Sequence, residues 1–330
     1  MGTKKLLSFA ALLLVMAMAL VFAGGCADDQ EFRYDGEPIL ADPEYVRTPP
    51  PVKLAEYVGT QQVYNDDGYA TGLIDYTNAD QGYVAVQMTA PTKSRVKVIY
   101  RAEAGEIEES FHLQPDGEIY FIPLAYGTGT YVIQLLYHDG GAGNSFYTIA
   151  SAEVTARIAN EYTPFTVQGL EVNYSADSEA VKFSHELTKN CSTDIEVVRM
   201  IYWWVSDNII YDDAKADSVL TTKDGDFTPD PDTTLRLKTG ICYDYASLTA
   251  AMLRANGIPC RLVKGYVKQG DGEVYHAWNH IWLRGVGLIA VKIQVNPNDW
   301  TRIDATFSAA GTSQAQFIGD GTNYTDWFYH

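Results

Sequence analysis

Three patterns of hydrophobic and polar residues follow one another along this chain. An uncharged apolar run extends from Leu6 to Phe22, directly after Lys4 and Lys5. From about residue 60 to 158, short runs of strand-forming residues alternate with turn residues, and beyond about residue 160 apolar residues recur at spacings of three and four. The patterns predict a targeting segment, then a β-rich region, then a region that contains helices.

The β-rich region predicts a small antiparallel sandwich of immunoglobulin-like shape. Its candidate strands are separated by turns that contain Gly or Pro, with no helical stretch between them: Tyr83–Met88, Val96–Tyr100, Glu118–Ile122, Tyr131–Tyr137 and Ala152–Ala156. Strands at this spacing are typical of such sandwiches. The region shows no nucleophile, metal cluster or phosphate loop. We therefore expect a spacer or packing partner, with binding of a glycan or peptide as the alternative.

The following region predicts amphipathic helices over 178–187 and 194–208. An acidic loop over 224–232 then carries four carboxylates in nine residues. Calcium binding is one interpretation, but the loop lacks the sixth-position Gly of an EF-hand. A solvated loop is the expectation, and no metal site is predicted in the chain.

The N-terminal run ends in Ala23-Gly24-Gly25-Cys26. Small residues followed by Cys at the end of an apolar run resemble the lipobox of bacterial lipoproteins, in which the cysteine is lipidated and becomes the new N-terminus. We expect a signal peptide over 1–25 and a lipid on Cys26, which places the protein on the extracytoplasmic face of the cell membrane. A secretory peptide and an uncleaved anchor are the alternatives, and both also export the chain. Residues 26–59, rich in Pro, Asp and Glu, predict a flexible tether.

Length and charge narrow the classes of function. Roughly 300 residues remain after the signal peptide, which is more than one hydrophobic core usually serves, so we expect two domains over 60–158 and 159–330. The formal net charge is -18. It disfavours nucleic acid as a partner and offers no basic patch for anionic lipid, so membrane attachment has to come from the N-terminus.

Cysteine usage is sparse, with Cys26, Cys191, Cys242 and Cys260. A disulfide-built scaffold is excluded. Cys191 and Cys260 are either a disulfide pair or two buried, inert thiols, and the sequence leaves both possibilities open.

Cys242 lies at the start of a strongly patterned helix that ends at Asn256 and Gly257. The positive end of the helix dipole and the free N–H groups of the first turn favour a thiolate there, and the thiolate is the nucleophilic species. Asp244 is expected to cap or charge the same turn.

Further motifs follow in order after Gly-x-Cys-x-Asp-Tyr-Ala at 240–246. They read Leu-Arg-Ala-x-Gly-Ile-Pro-x-Arg at 253–261, Gly-Tyr at 265–266, His-Ala-Trp-Asn at 276–279 and Ile-Asp-x-Thr at 303–306. Together they resemble the core of the bacterial transglutaminase-like superfamily over about residues 195 to 310. The resemblance implies an α+β domain built like a papain-type thiol hydrolase, behind the immunoglobulin-like sandwich, in a multidomain chain. A longer segment than is common in the family, 285–292, precedes the last motif and bears on the register of Asp304.

The resemblance assigns Cys242 as nucleophile, His276 as general base and Asp304 as the residue that orients the imidazole. His280 is the competing base, since residues four apart on a strand share a face. Trp278 and Trp300 are expected to wall the substrate site, although aromatic residues on strands are more often core.

These features predict a surface-anchored thiol acyltransferase or hydrolase that acts on amide bonds of peptides or proteins. We expect a peptidase or amidase rather than a crosslinker, because water is always available as acceptor. No organic cofactor is implied. The alternative is a catalytically silent binding or assembly protein that uses the same fold as a scaffold. The substrate, the second oxyanion-hole donor and the oligomeric state do not follow from the sequence.

Overall fold

The computed structural model describes residues 49–91, 96–102, 107–138, 145–221, 227–270, 272–283, 288–290, 293–294, 299–309 and 323–330. The signal peptide predicted over 1–25, the lipidation site Cys26 and most of the predicted tether lie outside these ranges. Among the described residues, no helix has the length and apolar character needed to cross a bilayer.

The first eight strands form two four-stranded antiparallel sheets, with the orders β1-β2-β3-β6 and β5-β4-β7-β8. The strands are β1 Gln62–Asp66, β2 Thr71–Asp75, β3 Tyr83–Thr89, β4 Val96–Ala102, β5 Ile107–Leu113, β6 Asp116–Pro123, β7 Gly129–His138 and β8 Phe146–Ala156. All five strands proposed from the sequence are present. β1, β2 and β5 were not anticipated, because their sequences are short or mainly polar, such as the Ile-Glu-Glu-Ser of β5.

One hydrophobic cluster joins these two sheets. Val84 and Val86 of β3 belong to the same cluster as Ile133 and Leu135 of β7, and all four side chains are fully buried. Each sheet therefore buries one face against the other, which removes apolar surface from water on both sides.

The second half of the chain combines helices with a four-stranded antiparallel sheet of order β15-β12-β11-β16. The helices are α1 Glu179–Thr188, α2 Asp194–Asn208, α3 Asp213–Thr221, α4 Pro231–Leu237, α5 Cys242–Ala255 and α6 Ala305–Ala309. The strands are β9 Ile210–Tyr211, β10 Thr239–Gly240, β11 Cys260–Gln269, β12 Gly272–Ile281, β13 Leu288–Ala290, β14 Ile293–Gln294, β15 Thr301–Ile303 and β16 Tyr324–Tyr329. The predicted helices correspond to α1, α2 and α5.

Helix α5 is the centre of this half. Every residue from Asp244 to Ala255 is buried, so the helix is enclosed on all sides rather than lying on a surface. The predicted end of the helix at Asn256 and Gly257 is confirmed. Gly257 has φ +74°, and the N–H of Ile258 donates a hydrogen bond to the carbonyl of Leu253 at 3.0 Å.

Gly265 lies where strands β11, β12 and β16 pack closely together. A Cβ at this position would collide with the carbonyl oxygen of Thr325 in β16 and lie 2.8 Å from Cη2 of Trp278. The register of β11 with β16 also shifts between Lys264 and Gly265. The Gly of the Gly-Tyr motif is thus required by packing against β16.

A buried cluster of charged groups joins the β-rich half to the second half. Nζ of Lys264 lies 2.6 Å from Oε1 of Glu109 in β5 and 2.9 Å from Oε1 of Glu171. His330 Nε2 lies 3.1 Å from the same Glu109 oxygen. Burial alone would raise the pKa of Glu171, but His330 and Lys264 outweigh it and lower that pKa. The cluster therefore favours the charged form of the Glu171 carboxylate in the interior.

The C-terminal part of the predicted tether is packed rather than flexible. Ala55 is 6% exposed and its N–H donates to Oε1 of Gln168 at 2.7 Å, while the N–H groups of Val58 and Gly59 donate to Oδ2 of Asp75. The prediction of a tether up to residue 59 is wrong for this stretch, because side-chain acceptors from both halves satisfy its backbone.

Candidate active site

Cys242 is the first residue of α5. The preceding residues form β10, which pairs in parallel with β9 so that Gly240 lies opposite Tyr211. Ile241 is the extended N-cap residue, and Cys242 is partly exposed. The prediction that this cysteine lies in the first helical turn is confirmed. This partly exposed cysteine lies at a helix end where the backbone favours negative charge.

Asp244 fixes the start of this helix. Its Oδ2 accepts hydrogen bonds from the N–H of Ile241 and from Nζ of Lys215, both at 2.8 Å. A Cβ on Gly240 would lie 2.6 Å from Cβ of Asp244, so the Gly of Gly-x-Cys leaves room for this carboxylate. Burial raises the pKa of Asp244, and Lys215 opposes that rise. As expected from the sequence, Asp244 stabilises the turn that carries Cys242.

His276 and Asp304 meet beside this helix start. Nε2 of His276 lies 2.8 Å from Oδ2 of Asp304, and both side chains are buried. The His276 ring is also hydrogen-bonded to the Cys242 side chain. Because Nε2 faces the carboxylate, Nδ1 is the ring nitrogen left for the sulfur. The structure therefore brings Cys242, His276 and Asp304 together in the order that the sequence predicted, despite the longer segment before Asp304.

Four donors surround the Asp304 carboxylate, which is completely buried. His276 and the hydroxyl of Tyr324, the latter at 2.9 Å, share Oδ2. The N–H groups of Thr306 and Phe307 donate to Oδ1 at 3.1 Å each, which makes Asp304 the cap of helix α6. These bonds fix the carboxylate in one position and satisfy it as an anion.

Two aromatic rings hold the His276 ring in its plane. Phe307 stacks on it with ring centroids 4.5 Å apart, and Trp278 lies parallel on it at 6.0 Å. Burial lowers the pKa of His276, but Asp304 and Cys242 raise it by more, to about 10. The site thus favours an imidazolium between a carboxylate and a sulfur.

His280, the competing base, has a different environment. Its Nε2 accepts a hydrogen bond from Nε1 of Trp278 at 3.2 Å, and its Nδ1 lies 3.7 Å from Asp326. Burial and the positive charges of Arg261 and Arg302 lower the pKa of His280 to about 3. His280 is therefore neutral and bound to other partners, which favours His276 as the base.

The two tryptophans that were expected to wall the site have different environments. Trp278 is 1% exposed and packs edge-to-face on Tyr324 at 4.9 Å, so the expected substrate contact is wrong: the indole is part of the core behind His276. Trp300 is half-buried and lies 3.8 Å from the guanidinium of Arg261. For Trp300 a contact with substrate stays a prediction.

Sequence reasoning missed Tyr324 and Phe307. Phe307 directly follows the Ile-Asp-x-Thr motif, and its position just after a helix cap was the available signal. Tyr324 lies on β16, far from any motif, and only the pairing of β11 with β16 brings it to Asp304. No local pattern could have identified it.

Cys191 and Cys260, the other two cysteines among the described residues, form no disulfide. Both are buried, and burial raises the pKa of the Cys260 thiol to about 12. The expectation of inert thiols, rather than the pairing, is the one the structure shows.

Two carboxylates of the acidic loop, those of Asp230 and Asp232, already have hydrogen-bond partners. Asp230 caps α4, and Asp232 accepts from the N–H groups of Glu179 and Ala180; Asp224 and Asp226 lie outside the described residues.

A second candidate for a metal site lies in the interior. Glu109, Glu171 and His330 bring ligand atoms within 4.8 Å of one another, but the Lys264 ammonium contacts both carboxylates. An internal cation thus occupies the position where a metal would bind.

Comparisons with known proteins fit this geometry. Residues 181–305 match the sequence profile of the Transglutaminase-like superfamily. Human kyphoscoliosis peptidase is 35% identical over 108 residues, which cover 30% of this chain and 16% of the human protein. An uncharacterised protein of Mycobacterium leprae is 33% identical over 95 residues, 26% of this chain and 29% of that protein. The chain thus aligns with less than a third of the length of either relative.

Two solved structures also align with the chain. One is a Cytophaga hutchinsonii protein proposed to be a cysteine protease, with 13% identity, a TM-score of 0.38, and coverage of 82% of this chain and 79% of that one. The other is the periplasmic domain of TgpA from Pseudomonas aeruginosa, with 16% identity, a TM-score of 0.32, and coverage of 76% of each chain. By its sequence match over residues 181–305, which include Cys242, His276 and Asp304, the chain carries a domain of the Transglutaminase-like superfamily.

Proposed function

We propose that this protein is a thiol hydrolase of amide bonds in peptides or proteins, with Cys242 as nucleophile, His276 as acid and base, and Asp304 as the orienting residue. One observation carries the proposal: the His276 ring bonds Asp304 through Nε2 at 2.8 Å and is also hydrogen-bonded to Cys242. A sulfur, an imidazole and a carboxylate in this order are the parts that acyl transfer requires.

The first half of the proposed reaction transfers the acyl group to sulfur. The Cys242 thiolate attacks the amide carbon, and the carbonyl π electrons move to oxygen as a tetrahedral intermediate forms. The N–H of Cys242 at the helix start is the first candidate donor to that oxyanion. The intermediate collapses when the C–N bond breaks, and the His276 imidazolium protonates the departing amine, leaving a thioester and a neutral imidazole.

The second half releases the acid. Neutral His276 removes a proton from water, whose oxygen attacks the thioester carbon, and the C–S bond then breaks with its electron pair on sulfur. The products are a carboxylic acid and the original thiolate–imidazolium pair. We favour water over an amine as acceptor because water is always available to a partly exposed cysteine.

The proposed function includes a location at the cell surface and a structural role for the β-rich half. A lipid on Cys26 would hold the protein on the extracytoplasmic face of the cell membrane, so its substrates would be peptides or proteins at the cell surface. The two N-terminal sheets would form an immunoglobulin-like sandwich over 60–158, and 159–330 would form the catalytic domain. The buried contacts of Lys264 with Glu109 support a sandwich that acts as a packing partner.

Thiol labelling and turnover test the proposal together. Cys242 should react with a peptidyl vinyl sulfone far faster than an exposed but unactivated thiol does. His276→Ala should lose this rate advantage. Cys242→Ala should lose labelling and the release of amine from a peptide library followed by mass spectrometry. Matched controls are Cys191→Ala, a buried thiol, and His280→Gln, a neutral histidine on the same strand; both should keep activity.

Two outcomes would contradict the proposed enzyme. If Cys242→Ala releases amine at the wild-type rate, or if His276→Ala leaves the labelling rate unchanged, the enzyme proposal is wrong. A folded protein with an unreactive Cys242 would instead favour the catalytically silent binding scaffold.

A further inference from the structure

One face of the second sheet runs from beneath helix α5 to beyond its first residue. In the register of β11 and β12, Leu262 lies opposite Asn279, and Tyr266 lies opposite Tyr275. These pairs share a face because their positions along each strand differ by an even number of residues. Helix α5 covers the first pair, since Nδ2 of Asn279 donates to the carbonyl of Ala246 at 2.9 Å. The Tyr266–Tyr275 end extends past the helix start.

Three aromatic side chains occupy the Tyr266–Tyr275 end of this face, and we call Tyr266, Tyr275 and Trp327 the aromatic shelf. The ring of Tyr266 lies 5.5 Å from that of Tyr275 and 5.5 Å from that of Trp327. Tyr275 is 48% exposed and Trp327 is 47% exposed. Large aromatic residues that contact one another and remain half-exposed mark a binding surface better than single exposed residues do.

The shelf adjoins the proposed nucleophile. Tyr275 directly precedes His276 on β12. Burial is the largest cause that raises the pKa of the Tyr275 hydroxyl. Lys264 opposes the rise, and Glu171, Glu109 and Cys242 add to it. Tyr275 is therefore close enough to Cys242 for the two side chains to interact electrostatically.

We propose that the aromatic shelf binds one aromatic or bulky apolar side chain of the peptide substrate, close in sequence to the amide that Cys242 attacks. This inference rests on the proposed function. An extended peptide advances roughly 3.3 Å per residue, so a side chain beside Cys242 belongs to the first or second residue from that amide. The Tyr275 and Trp327 rings are themselves in T-shaped contact, with centroids 6.5 Å apart, so they form one continuous surface for one side chain.

A peptide side chain fits this surface better than a sugar. A sugar ring that stacks on aromatic residues also needs hydrogen bonds for its hydroxyls. The three shelf side chains offer mainly ring carbon, with two phenol hydroxyls and one indole N–H as their polar groups. The net charge of -18 further disfavours acidic substrates.

A pair of peptidyl vinyl sulfones tests the shelf. The two probes differ only in carrying Phe or Gly at the second residue from the electrophile, and the alkylation rate of Cys242 is measured for each. We expect the Phe probe to react about tenfold faster with the wild-type protein, because burial of one aromatic ring contributes on the order of a factor of ten. Trp327→Ala should bring the ratio close to one. Tyr147→Ala, which removes a 49% exposed Tyr from β8, should leave the ratio unchanged.

Two further measurements separate the shelf from the chemistry. The rate with iodoacetamide, which has no side chain to bind, should be equal in the wild type and in Trp327→Ala. The Phe and Gly peptides without electrophile are titrated into Cys242→Ala by calorimetry, and the Phe peptide should bind about tenfold more tightly. If Trp327→Ala does not fold, Trp327→Leu keeps an apolar side chain in β16 and removes the indole.

Equal rates for the Phe and Gly probes, or a ratio unchanged in the Trp327 variant, would overturn the shelf proposal. So would tighter binding of a soluble oligosaccharide than of the Phe peptide to Cys242→Ala. A protein that binds the Phe peptide through Trp327 but whose Cys242 does not react would retain the shelf and refute the proposed hydrolase.

Discussion

The Tyr324 hydroxyl donates a hydrogen bond to Oδ2 of Asp304 at 2.9 Å, and the same oxygen lies 2.8 Å from Nε2 of His276. One carboxylate oxygen thus has two donors, one from β12 and one from β16. Since Tyr324 also packs on Trp278 at 4.9 Å, its ring and its hydroxyl both fix the carboxylate side of the site. Tyr324 does not contact Cys242 in any described interaction, so its role would be to position Asp304.

Tyr324→Phe keeps the ring and removes only this hydrogen bond. A bond to a charged group contributes about 1.5–3 kcal/mol, and its loss leaves Asp304 less well neutralised. We expect the pKa of His276 to rise further, because His276 then faces a carboxylate with one donor fewer. We also expect alkylation of Cys242 by a peptidyl probe to slow by roughly five- to tenfold, in line with a loss of orientation.

The pKa of His276 is measured by NMR titration of its ring protons. Tyr329→Phe is the matched control, since the Tyr329 hydroxyl bonds a different carboxylate, that of Asp326, at 3.1 Å. A Tyr324→Phe protein with an unchanged titration of His276 would show that the hydroxyl does not act on the pair.

The sequence predicted the elements that carry local signals and missed those that depend on distant pairing. Cys242 could be placed because Gly240, Asp244 and the helix pattern lie within one short segment. The strands β3 and β7 could be placed because β-branched and aromatic residues dominate them. Tyr324 could not be, since its contact with Asp304 depends on the register of β16 against β11. Trp278 was misassigned because an alternating strand does not reveal which face another element will cover.

Gly265→Ala should destabilise the second half of the protein. The added methyl would collide with the Thr325 carbonyl and lie 2.8 Å from Trp278, so β16 would have to move. Overpacking of this kind costs about 1–3 kcal/mol or more. Urea unfolding measures the change in the free energy of unfolding.

Gly129→Ala serves as the control for this substitution. An added Cβ at Gly129 in β7 would have no neighbour within 4 Å. Because Ala lowers the conformational entropy of the unfolded chain, this variant should be neutral or more stable by about 0.4–1 kcal/mol. Equal destabilisation by the two substitutions would argue against a close approach at Gly265.

Lys264→Met should weaken the junction between the β-rich half and the second sheet. The substitution leaves Glu109 and Glu171 buried without their ammonium partner, and loss of one member of a buried pair costs about 3–5 kcal/mol. Lys182→Met removes an exposed contact with Asp177 and should change the stability by at most about 1 kcal/mol. Thermal unfolding of the two variants checks the difference, and similar midpoints would contradict a structural role for the buried cluster.

His276 and His280 should make the stability depend on pH in opposite directions. The folded-state pKa of His276 is raised to about 10, so its stabilisation is fully present below the unfolded value of about 6.5 and is lost as pH rises toward 10. The folded-state pKa of His280 is lowered to about 3. The unfolded chain therefore takes up a proton at His280 that the folded protein refuses, and stability is lost as pH falls from about 6.5 toward 3.

Urea unfolding across pH 4 to 10 separates the two contributions. His280→Gln keeps an acceptor for Trp278 and should flatten the acid side, where one histidine contributes a slope of at most about 1.4 kcal/mol per pH unit. Cys242→Ala removes one of the causes that raise the pKa of His276, so the loss of stability on the alkaline side, which starts near pH 6.5, should end at a lower pH and be smaller in total. If Cys242→Ala leaves the alkaline side unchanged, the sulfur and the imidazole are not electrostatically coupled. The thiolate–imidazolium pair, on which the proposed hydrolysis depends, would then not form.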